Sequence, residues 1–266
     1  MSFNIPSFAR PATNPLEALS PDIQIFVLAH WRKQAVTIET LGELAIPFTV
    51  YENKDWEWPA DHPELATDRS RRPRVRGFAL RQYRAFRGHQ EIARRGMSPI
   101  SLVFEDDMTL APTVSRRELL QHINAMAAYL RTAPYEAVSL YGRNMSPMQN
   151  IREVAGRQYG ELVATPQDGT GHLFFLEPVQ AAGKYTDTYK WQEGCLAYML
   201  NERGREKWAN AGHADGLPCD LFLANELHTL SARDSLFQHD CRNGSLIDNY
   251  GNAAAELTDD GTPVKG

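Results

Sequence analysis

The sequence predicts an α/β protein with a mostly parallel sheet flanked by helices, and three observations support this fold class. Residues 23–31 (IQIFVLAHW) form an almost uninterrupted apolar run, as expected for a strand that is buried on both faces. A stretch with helical spacing follows, and residues 48–53 (FTVYEN) then form a second apolar strand. The same alternation of strands and helices returns between residues 76 and 142, which is typical of a parallel sheet.

The later elements can be placed from the same patterns. Residues 54–75 have neither helical nor strand periodicity and predict a long surface connection. Residues 143–171 are rich in glycine, proline, glutamine and asparagine and predict a flexible excursion. The other expected elements are a helix over 76–95, a strand that ends in the acids of 105–107, a helix over about 113–131, strands over 136–142, 172–178 and 194–201, and a helix over 202–211 that Gly212 stops.

Length and composition indicate a single soluble domain. A chain of 266 residues with 42% apolar residues can bury a substantial core. We expect an irregular N-terminal arm over residues 1–20, a domain over 21–250 and a flexible tail over 251–266. The opening is polar and proline-rich, so neither a secretory signal nor a membrane anchor is expected there, and no later stretch has the ~20 apolar residues that span a bilayer.

The three cysteines are Cys195, Cys219 and Cys241, and none of them belongs to a Cys-x-x-Cys motif. Their odd number and wide spacing favour neither a disulfide framework nor a zinc site. A reducing, cytoplasmic location is therefore the expectation.

A basic stretch stands out in a chain of net charge -5. Residues 69–95 carry ten arginines and one acid, Glu91, a local balance of +9. Arg76, Arg81 and Arg84 are candidates for pairing with the diphosphate of a bound nucleotide, because guanidinium groups suit phosphate oxygens. The whole stretch could instead grip a polyanion such as DNA, or it could be a solvated helix face that pairs with acids elsewhere.

The strongest signal for chemistry is the acidic triplet Glu105, Asp106 and Asp107 at the carboxyl end of a buried strand. Ligands of open α/β sheets bind at the carboxyl ends of the strands. Mg²⁺ and Mn²⁺ take carboxylate oxygens, commonly together with phosphate oxygens of a substrate. The alternative is that the acids merely solvate the strand end or cap a turn before Pro112.

The chain from Phe78 to Asp248 resembles glycosyltransferase family 25. The matching blocks, in the order of the family, are GFALRQYRAFRGHQEIA, SLVFEDD, GCLAYMLNERGREKW, PCDLFLANEL and FQHDCRNGSLIDN. Two features depart from the pattern of the family. The helix has Ala79, Gln82 and Tyr83 in place of the Cys-x-x-Ser-His motif, and the opening strand lacks the Asn-Leu motif. The resemblance implies a GT-A-like, Rossmann-type sheet, a metal-assisted nucleotide-sugar site and, usually, inversion at the anomeric carbon.

The resemblance also implies roles for the acids. Asp107, with Asp106, would hold Mn²⁺ or Mg²⁺, and Glu105 would orient the sugar or a neighbouring group. His239 or Asp240 would complete the coordination, although a single histidine is more often a structural residue.

Inverting transfer needs a base that takes the proton of the attacking hydroxyl, and two acids are candidates. Asp220 matches the Pro-x-Asp turn of the family. Its alternative role is the N-cap of the helix that follows. Glu193 is the second candidate base.

These expectations together describe a glycosyltransferase that uses a nucleotide sugar, with a UDP-sugar as the expected donor and a saccharide as the expected acceptor. The arginine-rich stretch motivates one alternative, a DNA-modification enzyme that transfers a sugar to a hydroxylated base. A second alternative is a catalytically silent module that binds carbohydrate or DNA. Hydrolysis of a nucleotide sugar with Mn²⁺ would separate the two enzymes from the module.

Overall fold

The computed structural model describes residues 18–30, 36–54, 56, 73–142, 146–166, 188–190, 192, 194–211 and 219–240. At residues 30, 73–82, 166 and 188–189 it describes the backbone alone. The tail expected over 251–266 and the strand expected over 172–178 lie outside the described residues, as does the arm expected over 1–20 except for its last three residues.

A single large sheet forms the centre of the described chain. Its strands and the shorter ones around it are β1 (Ile23–His30), β2 (Thr49–Asn53), β3 (Ile100–Glu105), β4 (Met108–Leu110), β5 (Ala137–Ser139), β6 (Met148–Val154), β7 (Arg157–Leu162), β8 (Thr165–Pro166), β9 (Thr188–Tyr189), β10 (Ala197–Asn201), β11 (Thr229–Ala232) and β12 (Phe237–His239). Eight of them form the sheet in the order β2-β1-β3-β10-β5-β11-β7-β6. Short antiparallel pairs join β4 to β12 and β8 to β9.

Helices cover both faces of this sheet. They are α1 (Val36–Glu43), α2 (Pro73–Arg95), α3 (Arg116–Thr132), α4 (Glu202–Ala209) and α5 (Cys219–Asn225). Side chains of a strand alternate between its faces: Ile25 and Val27 of β1 belong to one core with α1 and α3, whereas Phe26 and Leu28 belong to a second core with α2, α4 and α5. The predicted α/β class, a sheet flanked by helices, is confirmed.

The sheet is mixed in its strand directions. β1 is parallel to β2 and β3, and β5 is parallel to β11. β10 lies antiparallel between β3 and β5, and β7 lies antiparallel between β11 and β6. The other strands therefore all point one way, and their carboxyl ends meet at one edge, which we call the carboxyl edge.

The flexible excursion expected over residues 143–171 is wrong for much of its length. β6 and β7 form a hairpin whose second strand extends the main sheet through β11. Ala155 and Gly156 form its two-residue turn, both with positive φ (50° and 78°), as a type I′ hairpin turn requires. The polar residues that suggested a loop belong to an outer strand, where five consecutive residues of β6 are exposed.

The entry into α4 is set by two close contacts. A Cβ on Gly204 would lie 2.3 Å from the carbonyl oxygen of Glu136, so only glycine fits there. Asn201 accepts a hydrogen bond from Gly204 N at 3.0 Å and donates one to Tyr135 O at 2.8 Å. These contacts fix β10 against β5 and carry the start of β10 to the carboxyl edge.

Among the described helices, none is both long and apolar enough to cross a membrane.

Candidate active site

The three acids lie at the carboxyl edge: Glu105 ends β3, and Asp106 and Asp107 form the turn that joins β3 to β4. The backbone N–H of Glu105 donates to Leu196 O at 3.0 Å, so the start of β10 lies directly beside the turn. The sequence placed the acids at the end of a buried strand, and the structure has the first of them as the last residue of β3.

Thr37 holds this turn from the side of α1. Its hydroxyl donates to Glu105 O at 2.5 Å and accepts from Met108 N at 2.8 Å. Its backbone N–H also donates to Asp106 O at 3.3 Å. Because Thr37 is fully buried, these bonds are shielded from water and fix the backbone on which the acids lie.

Asp107 and His239 lie together on one side of the turn. The antiparallel pairing of β4 with β12 places His239 opposite Met108, and Asp240 N donates to Asp107 O at 2.7 Å. His239 Nε2 then lies 2.8 Å from Asp107 Oδ2. The other carboxylate oxygen, Asp107 Oδ1, is buried and has no hydrogen-bond partner among the residues that the structure describes.

Glu105 faces a different set of side chains. Its Oε1 lies 3.2 Å from His89 Nε2 of α2, and His89 Nδ1 lies 2.7 Å from the hydroxyl of Tyr198. Cys219, at the start of α5, completes the group: the ligand atoms of Glu105, His89 and Cys219 all lie within 4.8 Å of one another. We call these three residues the thiolate cluster. Gly88, the residue before His89, packs closely on β2, since a Cβ there would lie 2.8 Å from Asn53 Oδ1.

Asp220 follows Cys219 in the first turn of α5, so it is the second residue of the helix and not its N-cap. Its carboxylate accepts from Gly194 N at 3.1 Å and from Leu221 N at 3.0 Å. Burial raises the pKa of Asp220 to about 6, and the nearby charge of Glu105 adds to the rise, against the opposing effect of the two backbone donors. Such a carboxyl is half ionised near the pH at which a general base works well.

The described arginines of the basic stretch contact the protein itself. Arg84 Nε donates to Trp56 O at 3.0 Å, and the guanidinium of Arg87 lies 4.7 Å from the centre of the Trp56 ring. Arg94 bonds to Glu91 at 2.6 Å and to Ala209 O. Arg76 and Arg81 lie on α2, but their side chains are outside the described residues.

Not every predicted site residue can be placed. Glu193 lies outside the described residues. Asp106 is partly exposed in the turn, and its carboxylate does not belong to a group of three close ligands in the described chain. Sequence reasoning also missed a feature, the thiolate cluster: the cysteines had no motif spacing, and His89 was noted only as part of a helix pattern.

A cavity of about 910 Å³ lies beside the β6–β7 hairpin and the first turns of α3. Its lining includes Glu118, His122 and Arg157, and it shares no residue with the acidic turn or the thiolate cluster. The cavity is therefore separate from the candidate active site.

Comparisons with known proteins leave the family open. No family model matches this chain, and no curated protein matches it. Among solved structures, it is similar to A197 from STIV, with 10% identity over 81% of this chain and 83% of that one and a TM-score of 0.34. It is also similar to a glycosyltransferase involved in the glycosylation of the major capsid of PBCV-1, with 12% identity over 82% of this chain and 93% of that one and a TM-score of 0.36. At these values neither similarity assigns a function.

Proposed function

We propose that this protein is a divalent-metal-dependent glycosyltransferase that moves a sugar from a nucleotide sugar to a hydroxyl of a saccharide, with inversion at the anomeric carbon. The observation that carries the proposal is the contact between Asp107 and His239 at the carboxyl edge, where one carboxylate oxygen of Asp107 is buried and has no partner in the described part of the chain. A buried carboxylate oxygen without a partner is costly unless something binds it.

The side chains of Asp107 and His239 suit a divalent ion such as Mn²⁺. Asp107 offers an oxygen and His239 a nitrogen, and a site of two protein ligands leaves positions for phosphate oxygens of a substrate. Asp106, next in the turn, is the third candidate ligand. An ion held there would stabilise the negative charge that develops on the departing nucleoside diphosphate.

Asp220 is the proposed base. It directly follows Cys219, whose sulfur lies within 4.8 Å of a carboxylate oxygen of Glu105. Two backbone N–H groups fix its carboxylate, so the group needs little reorganisation to accept the proton of an acceptor hydroxyl. Glu105 has the proposed role of orienting the sugar or a neighbouring group.

The test is metal-dependent hydrolysis or transfer with a panel of UDP-sugars. Activity is expected with Mn²⁺ and not after chelation, and Asp107→Asn and His239→Gln should each lower the rate by at least 100-fold, the scale of losing one group that stabilises transition-state charge. Asp234→Asn, which changes an exposed acid that follows β11, is the matched control and should retain activity.

Two outcomes would overturn the proposal. If Asp107→Asn keeps wild-type activity and unchanged metal dependence, the assignment of the metal site is wrong. If the wild-type protein turns over no nucleotide sugar with any divalent ion, the chain is better described as a silent binding module.

The nucleic-acid alternative has its own test. The described arginines on the second half of α2 are engaged within the protein, so they give no specific support to a DNA acceptor. If the basic stretch does hold DNA, log K should fall with log salt by about 0.9 for each duplex phosphate contacted. Absence of DNA binding at low salt would eliminate this alternative.

A further inference from the structure

We infer that the thiolate cluster (His89, Glu105 and Cys219) is a second metal site, selective for Zn²⁺, separate from the site proposed at Asp107 and His239. The inference does not depend on the proposed function. It rests on three ligand types that converge from three separate elements, the last of them more than 100 residues further along the chain.

The first argument is geometric. One nitrogen, one oxygen and one sulfur atom lie within 4.8 Å of one another, on α2, at the end of β3 and at the start of α5. Zinc binds to such atoms at about 2.0 to 2.3 Å, so ligands around one ion lie about 3 to 4 Å apart. Small movements of the side chains are enough to bring all three to one ion.

The second argument is the support around His89. Its Nδ1 lies 2.7 Å from the hydroxyl of Tyr198, which leaves Nε2 directed at Glu105. Histidines that bind metal through one nitrogen commonly have the other held by a hydrogen bond, which fixes the orientation of the ring. The Tyr198 ring is in turn stacked on Trp208, with 5.2 Å between ring centres, so the support is itself rigid.

The third argument concerns charge and burial. His89 is fully buried and Cys219 nearly so, while Glu105 keeps 29% of its side chain exposed and gives an ion a route to the cluster. An ion binds to the deprotonated forms of these groups, so binding releases the protons that the free ligands hold; the imidazole, carboxylate and thiolate then carry a charge of about -2, which a divalent ion neutralises.

The ligand set also decides which metal is bound. A thiolate ligand favours Zn²⁺ over Mg²⁺ and Mn²⁺, whereas the carboxylate and imidazole of Asp107 and His239 suit a harder ion. Three protein ligands would leave one position of a tetrahedral site for water or another ligand. Cys195 is buried in contact with Cys219.

Cobalt is the probe for the first experiment, because Co²⁺ bound to a thiolate gives a charge-transfer absorption band. The metal-free, full-length protein is titrated with Co²⁺ and then with Zn²⁺ as competitor. We expect the band to appear with one equivalent of Co²⁺ and to disappear with Zn²⁺ but not with Mg²⁺. A wild-type protein that shows no such band, or binds Zn²⁺ no more tightly than Mn²⁺, would overturn the inference.

Variants assign the ligands. Cys219→Ser should abolish the band, and Glu105→Gln should weaken Zn²⁺ binding by more than about 100-fold, since loss even of an outer partner costs 10- to 100-fold. Tyr198→Phe should weaken binding within that lower range. Cys195→Ser is the matched control and should keep the band; loss of the band in that variant, with retention in Cys219→Ser, would contradict the assignment.

A stability measurement covers the case in which Cys219→Ser folds poorly. Zinc at 100 times its Kd should raise the unfolding midpoint of the wild-type protein by roughly 5 to 10 °C, because the ion joins three elements of the folded state. Asp107→Asn should show the same rise, since it leaves the thiolate cluster intact. An equal rise in Glu105→Gln would show that the ion binds elsewhere and would refute the site.

Discussion

Replacing Asp220 with asparagine is expected to make the protein more stable at pH 8 while it removes activity. Burial, with the charge of Glu105, raises the pKa of Asp220 to about 6 in the folded protein, whereas an aspartate in an unfolded chain has a pKa of about 3.9. The folded state therefore binds this proton more readily than the unfolded state does. Stability falls as pH rises through the interval from about 4 to about 6, and the cost of the charge is fully present above it.

The size of the effect follows from two opposing changes. The gap between the two pKa values corresponds to about 3 kcal/mol, at about 1.4 kcal/mol per unit. Asparagine removes that cost, but its amide group can accept only one of the two hydrogen bonds now donated by Gly194 N and Leu221 N. The lost bond costs about 1 to 1.5 kcal/mol. Asp220→Asn should therefore raise the free energy of unfolding by about 1 to 2 kcal/mol at pH 8 and lower it by about 1 kcal/mol at pH 4.

Urea denaturation of both proteins at pH 8 and pH 4 measures this difference, with Asp234→Asn as the control for a generic loss of charge. The rate of sugar transfer should fall by about 10² to 10⁴ if Asp220 is the base, with donor affinity little changed. A variant that is less stable than the wild type at pH 8 would refute the argument from burial. Loss of donor binding would instead assign Asp220 to the donor site.

Two further predictions test the contacts that hold the backbone around the candidate site. Thr37→Val keeps the shape of the side chain but removes the hydroxyl that bonds to Glu105 O and Met108 N. It should lower the free energy of unfolding, measured by urea denaturation, by about 1 to 3 kcal/mol. An unchanged value would mean that Thr37 does not hold the turn. Gly204→Ala should lower the free energy of unfolding by about 1 to 3 kcal/mol, as expected for overpacking, because the new Cβ meets the backbone of Glu136. Gly42→Ala, with nothing within 4 Å of the new Cβ and a helical backbone, is the matched control and should raise it by about 0.5 to 1 kcal/mol.

The parts of the fold that sequence could predict are those with strong apolar runs. The apolar run over 23–31 contains β1, and the run before the acids is β3, because a strand buried on both faces has few polar residues. The direction of β10 was not predictable in this way, since a fully buried strand has the same pattern in either direction. The hairpin of β6 and β7 was missed because its first strand is largely exposed, with Ile151 itself 44% exposed.

The candidate site shows the same limit. The end of β3 could be located, because the acids follow directly on an apolar run. The contact of Asp107 with His239 depends on residues 132 positions apart, and it forms only because β4 and β12 pair. The cysteines gave no sequence signal for metal binding, because Cys195 just before β10 and Cys219 at the start of α5 reach the same core from distant parts of the chain and not from one local motif.

The arrangement of the turn gives the two proposed metal sites different consequences for catalysis. Asp107 contacts His239, while Glu105 contacts His89 of the thiolate cluster, so two acids only two positions apart would serve ions of different chemistry. Cys219 directly precedes Asp220 in α5, and an ion bound to its sulfur would hold the start of the helix that carries the proposed base. Zinc would therefore act on the position of the base and on Glu105, whereas manganese would act on the leaving group. A dependence on both ions, with Zn²⁺ affecting the pH profile and Mn²⁺ affecting turnover at every pH, is the pattern that two separate sites on this turn require.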